Sequence, residues 1–589
     1  MAQWAPGPAA GRRRRPGRFS TSRLVAIAVV IAVACMIGLS AKAAVGTASC
    51  SNAPVLVNVV ASNDIAPAVQ SVANAFNNQN VTSAGRCVEV QVDQADSATE
   101  AGQIDGQAKA QGPAIDAWIP DSTLWVDVAR SYPVGAQTVQ PTGKSVARSP
   151  LMIVTTKAVA AQTGIFTVPP NWNVLLPSAF GGPPASLSLT VDLPDPVSSA
   201  SGLASLVEVS RTLGTGAAAR SAVTDFALGV QTTQTFNSPS LLSQFVQTTL
   251  PPFDRKAVTV SSEQAVLAYD KTGPKVQLAA QYVTGSTKSL GTPELDYPYV
   301  LTTSKPTALQ GAEAFGNYLQ TPYAQSVMRY QGFRSADGVP DVMPKSAGLA
   351  AQPLQLATAA SPTEAAANLQ AWQRLGLGFR DLILTDVSPA MNQPSGLGPL
   401  TVQQLVAQTA QQGLGLFPDS TQMGLWEMGR LPSASTPYKE LVPIGALSAD
   451  YGMILRRQQI LHIDATTTTS SNGTLALRTV ILDAYQMMTR TYATNYSNAI
   501  VVLTSGVDSA PGDISLNSLL SQLQRLYNSG KKIDIVILMF GNRGDFSAMQ
   551  KIASATGGAA FHVTNPAEIG QVFVQAVSQR MCNPNCGAP

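Results

Sequence analysis

An almost continuously apolar segment, Ile533–Phe540, is the feature that most restricts the fold of this chain. A strand is apolar at nearly every position when both of its faces are covered, as in a parallel sheet with helices on each side. Around this segment, strand and helix patterns alternate from residue 364 to residue 580. The predicted strands are 381–386, 422–428, 439–444, 499–504, 533–540 and 559–563, and the predicted helices are 364–375, 401–413, 451–461, 475–491, 515–528, 545–555 and 566–580. This alternation predicts a doubly wound, Rossmann-like α/β domain, with the strand 439–444 at its edge.

The predicted strand 381–386 ends in a polar turn, Asp386-Val-Ser388-Pro-Ala390-Met391. In a parallel α/β sheet, ligands and metals bind at the carboxyl ends of the strands. An aspartate and a serine two residues apart can direct two oxygen atoms into one loop cavity at that edge. The third position, Ala390, carries no side-chain oxygen. The turn is therefore a candidate binding site with an incomplete set of donors.

Residues 364–581 resemble a von Willebrand factor A domain. The resemblance is carried by Leu384-Thr-Asp-Val-Ser388, Gly424-Leu-Trp426, Asn472-Gly-Thr474, Val502-Leu-Thr-Ser-Gly-Val507 and Ile552-Ala-Ser-Ala-Thr-Gly-Gly-Ala559. Such domains hold a divalent cation through Asp-x-Ser-x-Ser, a threonine on a second loop and an aspartate on a third. The resemblance implies Asp386, Ser388 and Thr474 as candidate metal ligands.

Two positions of this sequence depart from that metal-binding pattern. Ala390 replaces the second serine, and Ser505 stands where the third-loop aspartate is expected. Mg²⁺ prefers about six oxygen ligands in octahedral geometry, including carboxylates. Two outcomes stay open: a degenerate site that binds Mg²⁺, or a retained fold without the ion.

The N-terminus predicts export. Residues 1–23 form a basic tail with six arginines and no acidic residue, and residues 24–45 begin with 18 uncharged, mostly apolar positions. Such a stretch can just span a bilayer, and the arginines would remain in the cytoplasm. A single transmembrane helix that leaves the rest of the chain outside the cytoplasm is the main expectation. A cleaved signal peptide ending near Ala41-Lys-Ala43 and a lipid anchor at Cys35 are the alternatives.

Residues 50–335 show a different sequence pattern, in which a strand, a polar loop and a helix N-terminus recur. One example is the predicted strand 55–60, the turn Ala61-Ser-Asn-Asp64 and the predicted helix 67–76; another is the loop 194–202 before the predicted helix 203–213. Each such junction directs backbone N–H groups and a partial positive charge toward the loops. The pattern predicts an α/β fold with a ligand cleft among these loops.

This order of parts resembles the extracellular solute-binding proteins of bacterial uptake systems, in their molybdate/sulfate-like branch. The resemblance is carried by Ala61-Ser-Asn-Asp64, Trp118-Ile-Pro-Asp-Ser122, Asp195-Pro-Val-Ser-Ser-Ala-Ser-Gly202 and the segment Tyr318–Arg334. It implies two α/β lobes joined by crossover strands, with a ligand held between them. By position, the cleft candidates are Ser62, Asn63, Asp121, Ser122, Ser149, Ser198, Ser199 and Tyr297.

Each cleft candidate has an alternative role as a helix cap or a turn residue. No arginine or lysine occupies the key loop positions, so an oxyanion ligand does not follow from the resemblance. Residues 336–363, rich in Ala, Pro, Ser and Gly, are expected to form an exposed linker between the two domains.

Four of the five cysteines are expected to form disulfides in an exported protein: Cys50 with Cys87, and Cys582 with Cys586 in a terminal loop, 582–589. Zinc is the alternative, although no histidine lies near these cysteines in the sequence. The fifth, Cys35, lies in the apolar N-terminal segment.

The charge balance argues against nucleic acid as a partner. Without the six tail arginines, the 38 basic residues fall to 32, against 35 acidic residues. The exported part therefore lacks the basic excess that nucleic acid requires. The only two histidines are His462 and His562, and the second is expected in the core. No catalytic motif is present, so an enzyme is not expected.

These observations predict a membrane-anchored, extracytoplasmic bacterial binding protein without a firmly implied cofactor. Its solute-binding-like half would hold a small molecule, and its von Willebrand A-like half would dock a protein or cell-envelope partner. The alternatives are a solute-capture component of a membrane transport system and an envelope hydrolase.

Overall fold

The computed structural model describes residues 53–231, 241–284, 291–341, 354–396, 398–430 and 437–579. The predicted tail, anchor and terminal loop lie outside these residues, as do Cys35, Cys50, Cys582 and Cys586. Within the described ranges, no helix is both long enough and apolar enough to span a membrane. Cys87 is disulfide-bonded, and its pairing with Cys50 stays a prediction.

The first lobe is built on a six-stranded mixed sheet with the order β2-β3-β1-β4-β11-β5. The central strand β1 pairs in parallel with β3 and β4, whereas β11 is antiparallel to β4 and β5. These strands are β1 (Val55–Ser62), β2 (Thr82–Ser83), β3 (Arg86–Ala95), β4 (Ala117–Ile119), β5 (Gln140–Ser145) and β11 (Pro298–Leu301). The helices of this lobe are α1 (Ala66–Asn77), α2 (Ser97–Ile104), α3 (Thr123–Arg130), α4 (Pro133–Thr138), α10 (Pro306–Tyr318) and α11 (Pro322–Tyr330).

The second lobe has a smaller sheet with the order β10-β6-β8-β7, and β9 also pairs with β6. All eight residues of β6 are buried, because this strand lies in the middle of the sheet. The strands are β6 (Ser149–Thr156), β7 (Thr190–Asp192), β8 (Ala257–Ser262), β9 (Leu278–Tyr282) and β10 (Glu294–Leu295). The helices are α5 (Lys157–Thr163), α6 (Ala200–Leu213), α7 (Ala217–Gln231), α8 (Leu241–Thr248) and α9 (Glu263–Lys271).

The chain crosses between the lobes at two adjacent places, from β5 to β6 and from β10 to β11. A third strand segment reinforces this crossing, because Arg148 and Arg334 form an antiparallel bridge. The arrangement agrees with the predicted two-lobed α/β fold. Two sheets joined by short crossovers leave a cleft where the loops of both lobes face each other.

Residues 378–563 contain a third sheet, which belongs to the doubly wound domain and has the strand order β14-β13-β12-β17-β18-β19. Five strands are parallel, and β14 pairs antiparallel at one edge. Counted within this sheet the order is 3-2-1-4-5-6, which is that of a doubly wound sheet. The strands are β12 (Gly378–Asp386), β13 (Gln422–Met428), β14 (Tyr438–Ala446), β17 (Tyr496–Thr504), β18 (Ile533–Phe540) and β19 (Ala560–Val563), with a small hairpin of β15 (Asp450–Tyr451) and β16 (Ile454–Leu455).

Helices cover both faces of this sheet. Alternate residues of one strand therefore enter different apolar clusters: Val502 packs on one face and Leu503 on the other. The helices are α12 (Pro362–Leu375), α13 (Val402–Leu414), α14 (Arg456–Thr466), α15 (Leu477–Arg490), α16 (Leu516–Leu526), α17 (Phe546–Ser554) and α18 (Ile569–Ser578).

The predicted helix 451–461 was wrong at its start. Residues 450–455 form the β15–β16 hairpin, which turns at Gly452 with φ of 72°, and the helix begins only at Arg456. The expectation that His562 lies in the core was also wrong, because this side chain is exposed and its Nε2 contacts Gly541 O.

Helix α12 packs against the solute-binding-like half as well as leading into β12. Leu369 and Trp372 belong to the same apolar cluster as Leu203 and Leu206 of α6. Ser361 caps the helix and Glu364 completes a reciprocal capping box. Before α12, Thr292 pairs through two backbone hydrogen bonds with residues 355 and 357. The end of the predicted linker is therefore attached to the first half instead of standing free.

Candidate functional site

An open cavity of about 410 Å³ lies between the two lobes. Its volume is within the range of small-molecule sites. From the first lobe it is lined by Ser62, Asn63, Asp64, Asp96, Ser97 and Asp121, and from the second by Ser198, Ser199, Ser201, Leu242, Ser243, Ser261, Ser262, Gln264, Ala265, Ala268, Tyr269, Thr272 and Leu295. Fifteen of these nineteen residues carry polar side chains, mostly hydroxyls and carboxylates, so the cleft can form hydrogen bonds with a polar solute.

Asp64 anchors the first-lobe side of the cleft, immediately after β1. Its Oδ1 accepts hydrogen bonds from Ser62 Oγ at 2.6 Å and from Ile65 N at 2.9 Å. Its Oδ2 accepts a hydrogen bond from the hydroxyl of Tyr297, which lies in the crossover from β10 to β11. Both carboxylate oxygens are therefore fixed, and the turn after β1 is tied to the crossover between the lobes.

Tyr297 holds this region from a strained backbone position. Its φ is 39°, which is uncommon for a bulky residue and is often found near functional sites. The ring is fully buried and packs edge-to-face on Phe333, with a centroid separation of 5.1 Å. Its backbone N–H donates to Asp121 O at 3.3 Å. Tyr297 thus supports two cleft loops from behind.

Asp121 is the least satisfied carboxylate of the cleft. Its Oδ1 is buried and makes no hydrogen bond to any described residue. Burial, together with the nearby negative charges of Asp64 and Asp96, raises the pKa of this carboxyl to about 7. A hydrogen bond with the Ser97 side chain lowers the pKa of Asp121 and so offsets part of this rise. Ser97 Oγ also accepts a hydrogen bond from the Asp121 backbone N–H at 3.1 Å.

The second-lobe side is formed by the loop before α6 and by the end of β8. Ser199 caps α6, and its Oγ lies 2.8 Å from Ser201 Oγ. Gly202 allows this tight start, because a Cβ there would stand 2.0 Å from Pro194 O. Ser262 caps α9 by accepting from Ala265 N at 3.2 Å. The serine-rich loop therefore places hydroxyls at the cleft and also fixes its own helix.

The structure brings five of the eight predicted cleft residues to the cavity wall: Ser62, Asn63, Asp121, Ser198 and Ser199. It places the other three outside the wall. Ser122 Oγ caps α3 by accepting from Leu124 N, and Ser149 Oγ accepts from Gln264 N. Tyr297 donates to Asp64 and supports the wall without lining it. For Ser122 and Ser149, the alternative role as backbone partners is the one observed.

Several residues of the cavity wall were not predicted from the sequence, notably Asp64, Asp96 and Ser97. Asp64 fixes the turn after β1, and Asp96 caps α2 by accepting from Thr99 N at 2.9 Å. Asp64 lies two residues after strand β1, and Asp96 lies directly after strand β3. That position was the available signal, because adjacent parallel strands end at one edge of a sheet.

The second candidate site lies at the carboxyl end of β12. Asp386 is fully buried; its Oδ1 accepts from Ser388 N at 2.8 Å and its Oδ2 from Thr504 Oγ1 at 2.9 Å. Gly429 lies against this pair, because a Cβ there would be 3.0 Å from the Ser388 Cβ. Burial raises the pKa of Asp386 although these hydrogen bonds oppose the shift.

The loop that carries Thr474 reaches the same edge through Ser470 and Gly473. Ser470 N donates to Val387 O at 2.7 Å, and Gly473 N donates to Ser470 Oγ at 2.9 Å. Asp508 points elsewhere, since it pairs with Arg478 Nη1 at 3.0 Å. The loops expected for a von Willebrand A-like site therefore converge without a second carboxylate.

These residues fit a divalent cation poorly. The oxygens of Asp386 already accept hydrogen bonds from the chain, and Ser388 Oγ, which is buried, has no partner among the described residues. No cluster of three or more His, Cys, Asp or Glu residues in the described ranges is arranged to hold a metal ion. Mg²⁺ needs several oxygens in a regular shell, and this edge offers one engaged carboxylate.

Residues 57–334 match the family model described as bacterial extracellular solute-binding protein. No curated protein matches the chain significantly. Among solved structures, the sulfate-binding protein SubI from Mycobacterium tuberculosis H37Rv is 21% identical, with a TM-score of 0.33, over 48% of this chain and 88% of that chain. Iron-bound HitA from Pseudomonas aeruginosa is 14% identical, with a TM-score of 0.38, over 55% of this chain and 100% of that chain.

A von Willebrand factor type A protein from Catenulispora acidiphila is 15% identical, with a TM-score of 0.26, over 35% of this chain and 43% of that chain. At these TM-scores the structural likenesses carry no argument about the sites. The match to the family model stands apart from them, because it covers both lobes and the crossovers. Over residues 57–334, the chain is therefore similar to bacterial extracellular solute-binding proteins.

Proposed function

We propose that this chain captures a small polar solute outside the cytoplasm, in the cleft between its two lobes. The observation that carries the proposal is the polar cavity of about 410 Å³, lined from both lobes within the region that matches the family model. A site divided between lobes favours a closed form, because a bound solute adds contacts across the cleft. No catalytic role is proposed.

The remaining parts of the proposal concern the attachment of the chain to the membrane and the role of the doubly wound domain. The segment 24–45 would anchor it in the membrane, with a cleaved signal as the alternative. The doubly wound domain would act as a von Willebrand A-like module that docks a protein or cell-envelope partner without relying on a metal ion. The packing of α12 against α6 favours a coupling between partner docking and solute capture, because it attaches the doubly wound domain to the helix that follows a cleft loop.

An untargeted capture experiment tests the proposal. The full chain, purified in a mild detergent, is incubated with a protein-free ultrafiltrate of a bacterial culture and examined by native mass spectrometry. A single added mass at one solute per chain is expected. Ala268→Trp should abolish it, because Ala268 is exposed on the cavity wall and the indole would fill the space.

The matched control is Ala161→Trp, which places the same indole on an exposed position of α5 away from the cavity wall. This variant should retain the added mass. Failure of the unmodified chain to retain any solute, or equal retention by Ala268→Trp, would contradict capture in the cleft.

A further inference from the structure

We propose that the cleft selects an organic cation, a solute that carries a protonated amine together with hydroxyl or amide groups. This inference rests on the proposed capture function and names the class of solute. It departs from the oxyanion that a molybdate/sulfate-like cleft would take. The argument comes from the charge, the free acceptors and the occupied donors of the cavity wall.

The charge of the wall is negative. Asp64, Asp96 and Asp121 line the cavity, and none of the described wall residues is a lysine, arginine or histidine. Arg334 and Arg148, at the crossing between the lobes, are neutralised by other partners: Arg334 binds Glu263 with Nη2–Oε2 at 2.7 Å, and Arg148 binds Glu294. A cationic solute would reduce the repulsion among the three aspartates, whereas an anion would increase it.

Asp121 provides a buried carboxylate oxygen in this wall that no described residue occupies. Both oxygens of Asp64 accept hydrogen bonds from the chain, whereas Asp121 Oδ1 is buried at the cavity and accepts none from the described residues. A buried carboxylate oxygen without a partner is costly unless a ligand donates to it. An ammonium group that reaches this oxygen as the lobes close around the solute would supply the required N–H donor and the compensating charge in one contact.

Several backbone donors that could bind an anion at the second-lobe helices are already used. Helix N-termini attract anions through free backbone N–H groups. At α6, Gly202 N donates to Ser199 Oγ, and at α9, Gln264 N donates to Ser149 Oγ and Ala265 N to Ser262 Oγ. The chain's own serines therefore cap α6 and α9, two of the three second-lobe helices that reach the cleft; the third, α8, contributes Leu242 and Ser243 to the wall.

The spread of the carboxylates favours an extended organic cation over a metal ion. The three aspartates are not arranged as a chelating group in the part of the chain described here. Around them lie the hydroxyls of Ser97, Ser198, Ser201 and Ser261, which both donate and accept. An amine with hydroxyl or amide groups matches this mixture.

Calorimetry of the full chain tests the inference through the direction of proton movement. Putrescine, spermidine, ethanolamine and glucosamine form the cation panel; sulfate, molybdate and phosphate form the anion panel; glucose is the neutral probe. Because the pKa of Asp121 is raised to about 7, a bound cation should lower it and release protons at pH 7. A bound anion should raise it and take protons up.

We expect at least one amine to bind with proton release, seen as a dependence of the observed enthalpy on the buffer. Asp121→Asn should weaken its binding about tenfold or more and abolish the release, because it removes a charge-assisted contact. Glu89→Gln removes a carboxylate from an exposed position of β3 and should change neither the affinity for the amine nor the proton release.

Binding of an anion or of glucose alone, binding of an amine without dependence on Asp121, or binding of no amine would overturn the cation inference. Capture itself is judged separately by the untargeted experiment. A neutral or anionic solute found there would refute the cation and leave capture intact, whereas no retained solute would refute capture.

Discussion

The indole of Trp372 donates a hydrogen bond of 3.1 Å to the carboxylate of Asp195, joining the first helix of the doubly wound domain to the cleft loop. Asp195 O in turn accepts from the backbone N–H groups of Ser198 and Ser199, which line the cavity. Arg211 reinforces the contact by binding Glu364 of α12 at 2.7 Å. A physical connection therefore runs from α12 to the serines of the cleft.

Trp372→Phe should loosen this loop. Loss of one hydrogen bond is expected to lower the free energy of unfolding by about 1 kcal/mol. Hydrogen exchange at the Ser198 and Ser199 amides should become faster, because the carbonyl that they bond would be less fixed. Trp426→Phe is the matched control, since Trp426 is a buried tryptophan of β13 remote from the cleft. Equal exchange in both variants would exclude the connection.

The stability of the solute-free chain should depend on Asp121. Its pKa is about 7 in the folded protein, against an ordinary value near 3.8, so the folded state binds the proton more tightly. Stability contributed by this group is present at low pH and is lost as the pH rises from about 4 to about 7. In Asp121→Asn, the free energy of unfolding measured by chemical denaturation should fall less between about pH 4 and about pH 7 than in the unmodified chain. An unchanged slope would show that Asp121 titrates normally.

Arg334 and Glu263 form a buried ion pair between the segment after α11 and the second lobe. Their exposures are 4% and 0%, and two guanidinium nitrogens contact the carboxylate. Arg334→Met should cost about 3–5 kcal/mol, because it leaves Glu263 buried without its cation. The double variant Arg334→Met/Glu263→Leu should recover part of that loss in urea unfolding. A double variant as unstable as the single one would contradict this explanation.

The carboxylate of Asp386 should act as a structural group and not as a metal ligand. Asp386→Ala should lower stability by about 3 kcal/mol, since Ser388 N and Thr504 Oγ1 lose a buried acceptor. Ser388→Ala is the control; its hydroxyl has no partner in the described structure, so its loss should cost little. Mg²⁺ should leave the unfolding curve of the unmodified chain unchanged. A stabilisation that needs both Asp386 and Ser388 would establish an ion site.

The doubly wound domain was the more predictable half. The strands 422–428 and 533–540 were located to the residue, and burial on both faces explains why the second is apolar at every position except Asp534. The β15–β16 hairpin was missed, because its turn at Gly452 lies within a segment that also has a helical apolar pattern. The docking of α12 on α6 could not be read from local patterns, since it joins residues more than a hundred positions apart.

The cleft was predictable in outline and not in its chemistry. Polar residues after strands located Ser62, Asn63 and Asp121, since strand ends meet at one edge. The state of Asp121 depends on Asp64 and Asp96, which come from two other loops. Ser149 is a predicted cleft residue that does not line the cavity, because its hydroxyl accepts a hydrogen bond from Gln264 N, 115 residues along the chain. Which hydroxyls remain available is set by tertiary contacts.

The central claim is that one solute is held by both lobes at once. Its most direct test is the affinity of the full chain for the captured solute, measured by calorimetry for Asp121→Asn in the first lobe and Ser201→Ala in the second, with Glu89→Gln as control. Both cleft variants should bind more weakly, and the control should match the unmodified chain. Unchanged affinity in either cleft variant would contradict capture between the lobes.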